Sequence, residues 1–168
     1  VTSTVSRIKV DRGVRSFGIL MAFSAQPGVM PLPASQVRFA ELPDLVSSGH
    51  DYMYWRLDDP ACVSGGDARS CLQTIDAVHP AHIVDSDSSG LAIFLVAPVI
   101  QGWVLLGEVS KLVPISEDRI ATSATTVGGL SLQVVGAPQE KVEMLAVNLA
   151  NPGGKVQAFA GTVGNDGI

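Results

Sequence analysis

Ten consecutive residues, 91–100 (L-A-I-F-L-V-A-P-V-I), carry no charged and no hydrogen-bonding side chain. A membrane-spanning helix needs roughly 20 apolar residues, twice what this run supplies. The next apolar run, 18–23 (G-I-L-M-A-F), is shorter still. No helical membrane insertion is therefore expected. A strand exposed on one face alternates apolar with polar residues, and this run does not alternate. It predicts a strand covered on both faces, in the core of a folded protein.

The rest of the chain punctuates similar, shorter runs with turn residues. Strands are predicted near 4–11, 15–24, 52–57, 82–84, 91–99, 103–112, 119–126, 130–135, 141–149 and 155–163. Asp11-Arg12-Gly13 turns the first pair into a hairpin, and Val127-Gly128-Gly129 turns a later pair. Asn151-Pro152-Gly153-Gly154 is the strongest turn signal and predicts a C-terminal hairpin. Gly107, inside an apolar run, marks a bulge or a close backbone approach, and Glu108 beside it must face out or be paired. Two short helices are expected. One covers 68–77 behind an Asp67 cap, with Cys71, Leu72, Ile75 and Val78 at helical spacing; the other covers 35–42, ahead of Pro43. Residues 25–48 hold four prolines and read as a long surface excursion. Many short strands with tight turns predict an all-β, antiparallel β-sandwich or jelly-roll-like barrel, a single domain over residues 1–168. With no initiator Met and no leader pattern, it is expected to be a piece excised from a larger protein.

Charged residues make up only 16% of the 168, against about 25% in an ordinary soluble domain. A chain so poor in charge has difficulty covering itself, which predicts a homo-dimer or homo-trimer. The charge is uneven. Residues 1–40 carry five basic side chains against Asp11, net +4; the remainder carries six basic against fifteen acidic, net −9. The basic residues of R-I-K-V-D-R alternate with apolar ones, which suits the solvent face of a strand better than a phosphate-binding patch. No nucleic-acid partner is expected for this domain. Cys62 and Cys71 flank a Ser-Gly-Gly stretch that lets the chain double back. In an oxidising compartment they form a local disulfide, stabilising by ~2–3 kcal/mol. Their spacing does not fit a zinc site.

Asp85, Asp87, Ser89 and Gly90 fill positions 1, 3, 5 and 6 of an EF-hand-like loop. Position 12 is Val96, which cannot ligate through its side chain, and strands rather than helices flank the loop. The stretch reads first as a polar turn, with calcium held by Asp85, Asp87 and Ser89 as the minority alternative. His79 and His82 flank Pro80, which bends the chain between their rings. There is no G-x-S-x-G elbow and no nucleotide-binding glycine pattern, so nothing specifies an enzyme and no cofactor other than that calcium is expected. In H-D-Y-M-Y-W-R-L, alternation puts Tyr52 and Tyr54 on one face and Met53, Trp55 and Leu57 on the other. With the second face in the core, the tyrosines, flanked by His50 and Arg56, form the candidate ligand-binding surface for a sugar or a protein.

The stretches G-L-A-I-F-L-V-A-P-V, T-S-A-T-T-V-G-G-L-S-L-Q-V-V and A-V-N-L-A-N-P-G-G-K-V-Q-A-F-A-G-T-V resemble the protruding surface domains of small icosahedral RNA virus capsid proteins in texture. That resemblance implies a non-enzymatic domain on the virion surface that self-associates and attaches to a host cell-surface protein or glycan. G-W-V-L-L-G-E-V-S resembles galactose-binding-type sandwiches, which implies a secreted carbohydrate-binding module, with or without calcium, as the alternative. A hydrolase whose site assembles only in three dimensions is the third reading.

Overall fold

The computed structural model describes residues 2–10, 15–23, 35–37, 45, 49–57, 71–83, 91–108, 110–111, 113–126, 128–151 and 154–168. Twelve strands are defined among them: β1 Thr2–Val10, β2 Arg15–Phe23, β3 Ser35–Val37, β4 Tyr52–Arg56, β5 Gln73–Ile75, β6 Ala81–Ile83, β7 Leu91–Ile100, β8 Trp103–Gly107, β9 Ile120–Thr126, β10 Gly129–Val134, β11 Lys141–Asn148 and β12 Val156–Thr162. Every ladder between them is antiparallel. The fold is all-β and sandwich-like. Among the described residues no helix is long and apolar enough to cross a membrane.

The apolar run of residues 91–100 forms β7, the strand around which the rest is arranged. Val96 pairs with Gly18 of β2 and with Tyr54 of β4, so the two neighbours lie on opposite edges. Pro98 sits where its missing N–H costs nothing. Val99 donates its N–H to Asp51 O on the β4 side, so Pro98 would have to donate on the other edge. There the β2 ladder ends at Val96 and the β8 ladder begins at Val99. From that fork β7 turns through Gln101 and Gly102, both at positive φ as a two-residue hairpin demands, into β8. β8 then pairs with β11, and β11 with β12. The path β1-β2-β7-β8-β11-β12 thus bends at the fork, with β4 and β5 branching from β7.

The bend encloses the larger core, in which Phe17, Ile19, Trp55, Leu95 and Ala97 from one limb meet Trp103–Leu106 and Met144–Val147 from the other. Leu130, Leu132 and Val134 of the β9–β10 hairpin pack against it, half-buried. The opposite face of the β2-β7-β4 limb is covered too. Leu20, Ala22, Tyr52, Tyr54, Ala92, Phe94 and Val96 form a second core with Val37 of β3, Ala81 of β6, Leu45 and Ile75. The prediction that β7 is covered on both faces is met.

The three hairpins expected from turn chemistry are present: β1–β2, β9–β10 and β11–β12. The expected helices give way to strands over residues 35–37 and 73–75, although Cys71, within the second, is helical. Residues 35–37 form β3, paired with β6, and residues 73–75 form β5, paired with β4. In both places an open strand edge offered cross-strand hydrogen bonds that outweighed a weak helical spacing. After β5 the chain turns at Asp76, whose Oδ1 accepts the N–H groups of Val78 and His79, and Val78 is exposed. The remainder of 38–42, residues 68–70 and most of the proline-rich excursion lie outside the described residues. The strand predicted over 103–112 ends at Gly107, where φ is +82°.

Candidate functional site

The tyrosine surface expected on β4 is interior. Tyr52 and Tyr54 are 1% and 2% exposed, in the second core. Alternation separated the two faces of β4 correctly, but the β3–β6 layer covers the face expected to be free. Tyr54 O–H donates to Gln73 Oε1 and accepts the backbone N–H of His82 at 2.9 Å, and its ring lies against Phe94. Burial raises its pKa above the ordinary 10. Neither ring offers a face to a sugar. Arg56 is buried and His50 exposed.

Asp85, Asp87 and Ser89 lie outside the described residues, as does Cys62. Cys71 is half-buried and disulfide-bonded. Among the described residues no group of three His, Cys, Asp or Glu side chains is placed to hold a metal ion. His79 pairs locally with Asp76 at 2.9 Å, and this bond is the main cause that lowers the pKa of Asp76.

Two further features were not legible as sites. The first is an ion network around Arg119. Its Nε and Nη2 donate to Glu108 at 3.0 and 3.2 Å, its Nη1 and Nη2 to Glu140 at 2.9 and 2.8 Å, and its Nη1 also to Val135 O at 2.8 Å. These five bonds use all five guanidinium N–H groups. Glu108 follows β8, Arg119 precedes β9 and Glu140 precedes β11, so one side chain ties three chain reversals together. The bonds from Arg119, aided by the Ala137 N–H and by Lys111, hold the Glu140 pKa down from 4.5 to about 2. The same bonds, led by that to Glu140, raise the pKa of Arg119. With every donor spent, the network is a clamp rather than a reactive centre.

The second feature is a groove of about 500 Å³ beside that clamp. Its lining runs through five consecutive residues of β10, Leu130 to Val134, and through residues 159–163 along β12. A strand that shows its face to a cavity contributes alternate residues; one that contributes a consecutive run is turning its edge to it. β11 contributes Val142 and Met144, which are alternate residues. The groove is therefore a slot, with a floor of β11 side chains and walls that are strand edges. Phe159, 38% exposed and tilted against Trp103, and Ile168, 53% exposed, add apolar surface at its rim. None of the described residues that line it is charged. The charged residues of β11 lie on the other face: Lys141 and Glu143, with Glu108, line a second open cleft, which shares Val142 and residues 160–162 with the slot. The signal in the sequence was β12 itself, V-Q-A-F-A-G-T, an edge strand without the Lys, Pro or charge that usually guards such an edge.

No family model, no curated protein and no solved structure matches this chain.

Proposed function

We propose that this chain is a non-enzymatic interaction domain whose contact surface is the slot between β10 and β12. One observation carries the reading: an uncharged groove of about 500 Å³, within the size range of ligand sites, opens between two strand edges beside exposed Phe159 and Ile168. In a chain poor in charge elsewhere, this surface gains most from being covered. The reading keeps the expectation of a surface attachment domain, as in a capsid protrusion, and moves the contact from the tyrosines of β4 to the far side of the molecule's larger core. The fold class is common to both families that the sequence resembles and favours neither.

The test uses Gly161, on the groove side of β12. A Cβ built there meets nothing within 4 Å, so Gly161→Leu fills the slot without displacing its walls. The native protein should bind the aromatic rings of the amphiphilic dye 1-anilinonaphthalene-8-sulfonate, its sulfonate left in water, with a saturable rise in fluorescence. Gly161→Leu should lose most of that rise while keeping the same far-UV circular dichroism. An equal rise in both proteins would remove the slot as the contact surface.

A further inference from the structure

We infer that the slot takes an extended segment of a partner polypeptide as an added strand, antiparallel to both β10 and β12. The inference rests on the slot being the contact surface and names what fills it.

The hydrogen-bonding groups of the walls point into the slot. Val163 donates its N–H to Glu140 O and accepts the Gln139 N–H, so both of its backbone groups face the β11 side. Backbone direction alternates along an antiparallel strand. Residues 159 and 161 therefore bond toward β11, while Ala160 and Thr162 turn their N–H and C=O groups to the slot. On the other wall, Thr126 and Gly129 close a two-residue turn, which makes them a hydrogen-bonded pair. Ser131 then faces β9, while Leu130 and Leu132 face the slot. Among the described residues β10 pairs only with β9, and β12 only with β11. A hydrocarbon ligand leaves two rows of backbone groups unmatched; a strand matches both.

The turn over residues 164–168 closes one end of the slot. After β12 the chain reverses in a turn in which Gly167 N–H bonds Gly164 O. Gly167 O then accepts Gly136 N–H at 3.1 Å, just beyond β10, and Ile168 O accepts Gly164 N–H at 2.8 Å, just beyond β12. Gly167, at φ +84°, thus bridges the ends of the two walls, its N–H bonding just beyond β12 and its C=O just beyond β10. Both walls run toward this end, so a guest antiparallel to one is antiparallel to the other. Each wall is five residues long, about 17 Å at ~3.3 Å per residue, which sets the guest at about five residues. The lining sets its chemistry. A charged side chain lowered onto Val142 and Met144 would lose water and find no counter-charge, so the guest carries uncharged residues, apolar on the side that meets the floor.

The experiment measures fluorescence anisotropy of a labelled, end-capped peptide of alternating Val and Thr, five residues long, with the whole chain. Saturable binding is expected. Methylating alternate amide nitrogens of the peptide, which removes donors without altering side chains, should weaken binding about tenfold or more. Ala160→Pro should do the same, because it deletes an N–H that faces the slot and spares the ladder to β11. The methylated peptide keeps the test decisive even where Ala160→Pro unfolds the protein. Binding indifferent to the methylated peptide overturns the inference. Uptake of 1-anilinonaphthalene-8-sulfonate without any peptide binding also overturns it, while leaving the slot as a contact surface. Failure of both probes overturns both readings. A dimer seen by light scattering without peptide, and dissociated by Ala160→Pro, assigns the slot to a second copy and overturns the partner chain.

Discussion

Arg119 shows how much a single side chain holds at the edge of this core. Glu108 is 3% exposed and has its charge met mainly by Arg119. Replacing Arg119 by Met keeps the stem and removes the fork, leaving a buried carboxylate without its main counter-charge. Breaking a buried pair in this way costs on the order of 3 kcal/mol, which in a chain of this size lowers the melting temperature by roughly 6–12 °C. Arg119→Lys keeps the charge but cannot bridge both carboxylates and Val135 O, so differential scanning calorimetry should place it between the native protein and Arg119→Met. Glu140 supplies the pH dependence. Its pKa is lower in the folded chain, about 2, than the ordinary 4.5, so its contribution is complete above pH 4.5 and lost as pH falls toward 2. The melting temperature of the native protein should exceed that of Glu140→Gln at pH 6. The gap should close between pH 4.5 and 2; a gap constant down to pH 2 would mean that the pair does not hold Glu140 ionised.

Among the elements, the strands show what two glycines of similar appearance do. Gly107 ends β8 at φ +82°, opposite a register shift at Leu145/Ala146 of β11. A Cβ there would run into the carbonyl oxygen of Pro114 and the side chain of Ile115. Gly107→Ala should cost roughly 2–4 kcal/mol, from backbone strain and overpacking together, read as a lower urea midpoint. Gly161→Leu, facing open space in β12, should leave that midpoint unchanged or raise it. The sequence marked Gly107 as a bulge or close approach because glycine in an apolar strand needs a reason. It had no means of marking Gly161, since a slot between two strands distant in sequence has no local pattern. The same limit explains the helices that failed. Turn chemistry and alternation located the longer strands and three hairpins, because those signals lie within a few residues. Short strands such as β3 and β5 exist because β6 and β4 offered them an edge, and that offer is tertiary. The buried tyrosines have the same origin: alternation separates the two faces of β4 and is silent on whether a third layer covers the second.

At the scale of the whole molecule that third layer has a consequence for unfolding. Phe94 and Leu95 are neighbours on β7 and point to opposite faces, yet both are buried, one in each core. In a two-layer sandwich one of such a pair faces solvent and tolerates truncation. Here Phe94→Ala and Leu95→Ala should each cost about 3 kcal/mol or more. The cores are not separable packets, because β2, β4 and β7 contribute one face to each. Loss of either core should therefore unfold both in one transition. The aromatic residues allow this to be read directly. Both tryptophans of the chain, Trp55 and Trp103, lie in the larger core, and both tyrosines, Tyr52 and Tyr54, lie in the second. Tryptophan fluorescence and the NMR signals of incorporated fluorotyrosine should thus give one urea midpoint, in the native protein and in both alanine variants. A fluorotyrosine midpoint below that of tryptophan would show the β3–β6 layer lifting off while the bent sheet persists. In that event the tyrosine face of β4 would be uncovered in the intermediate rather than in the folded chain.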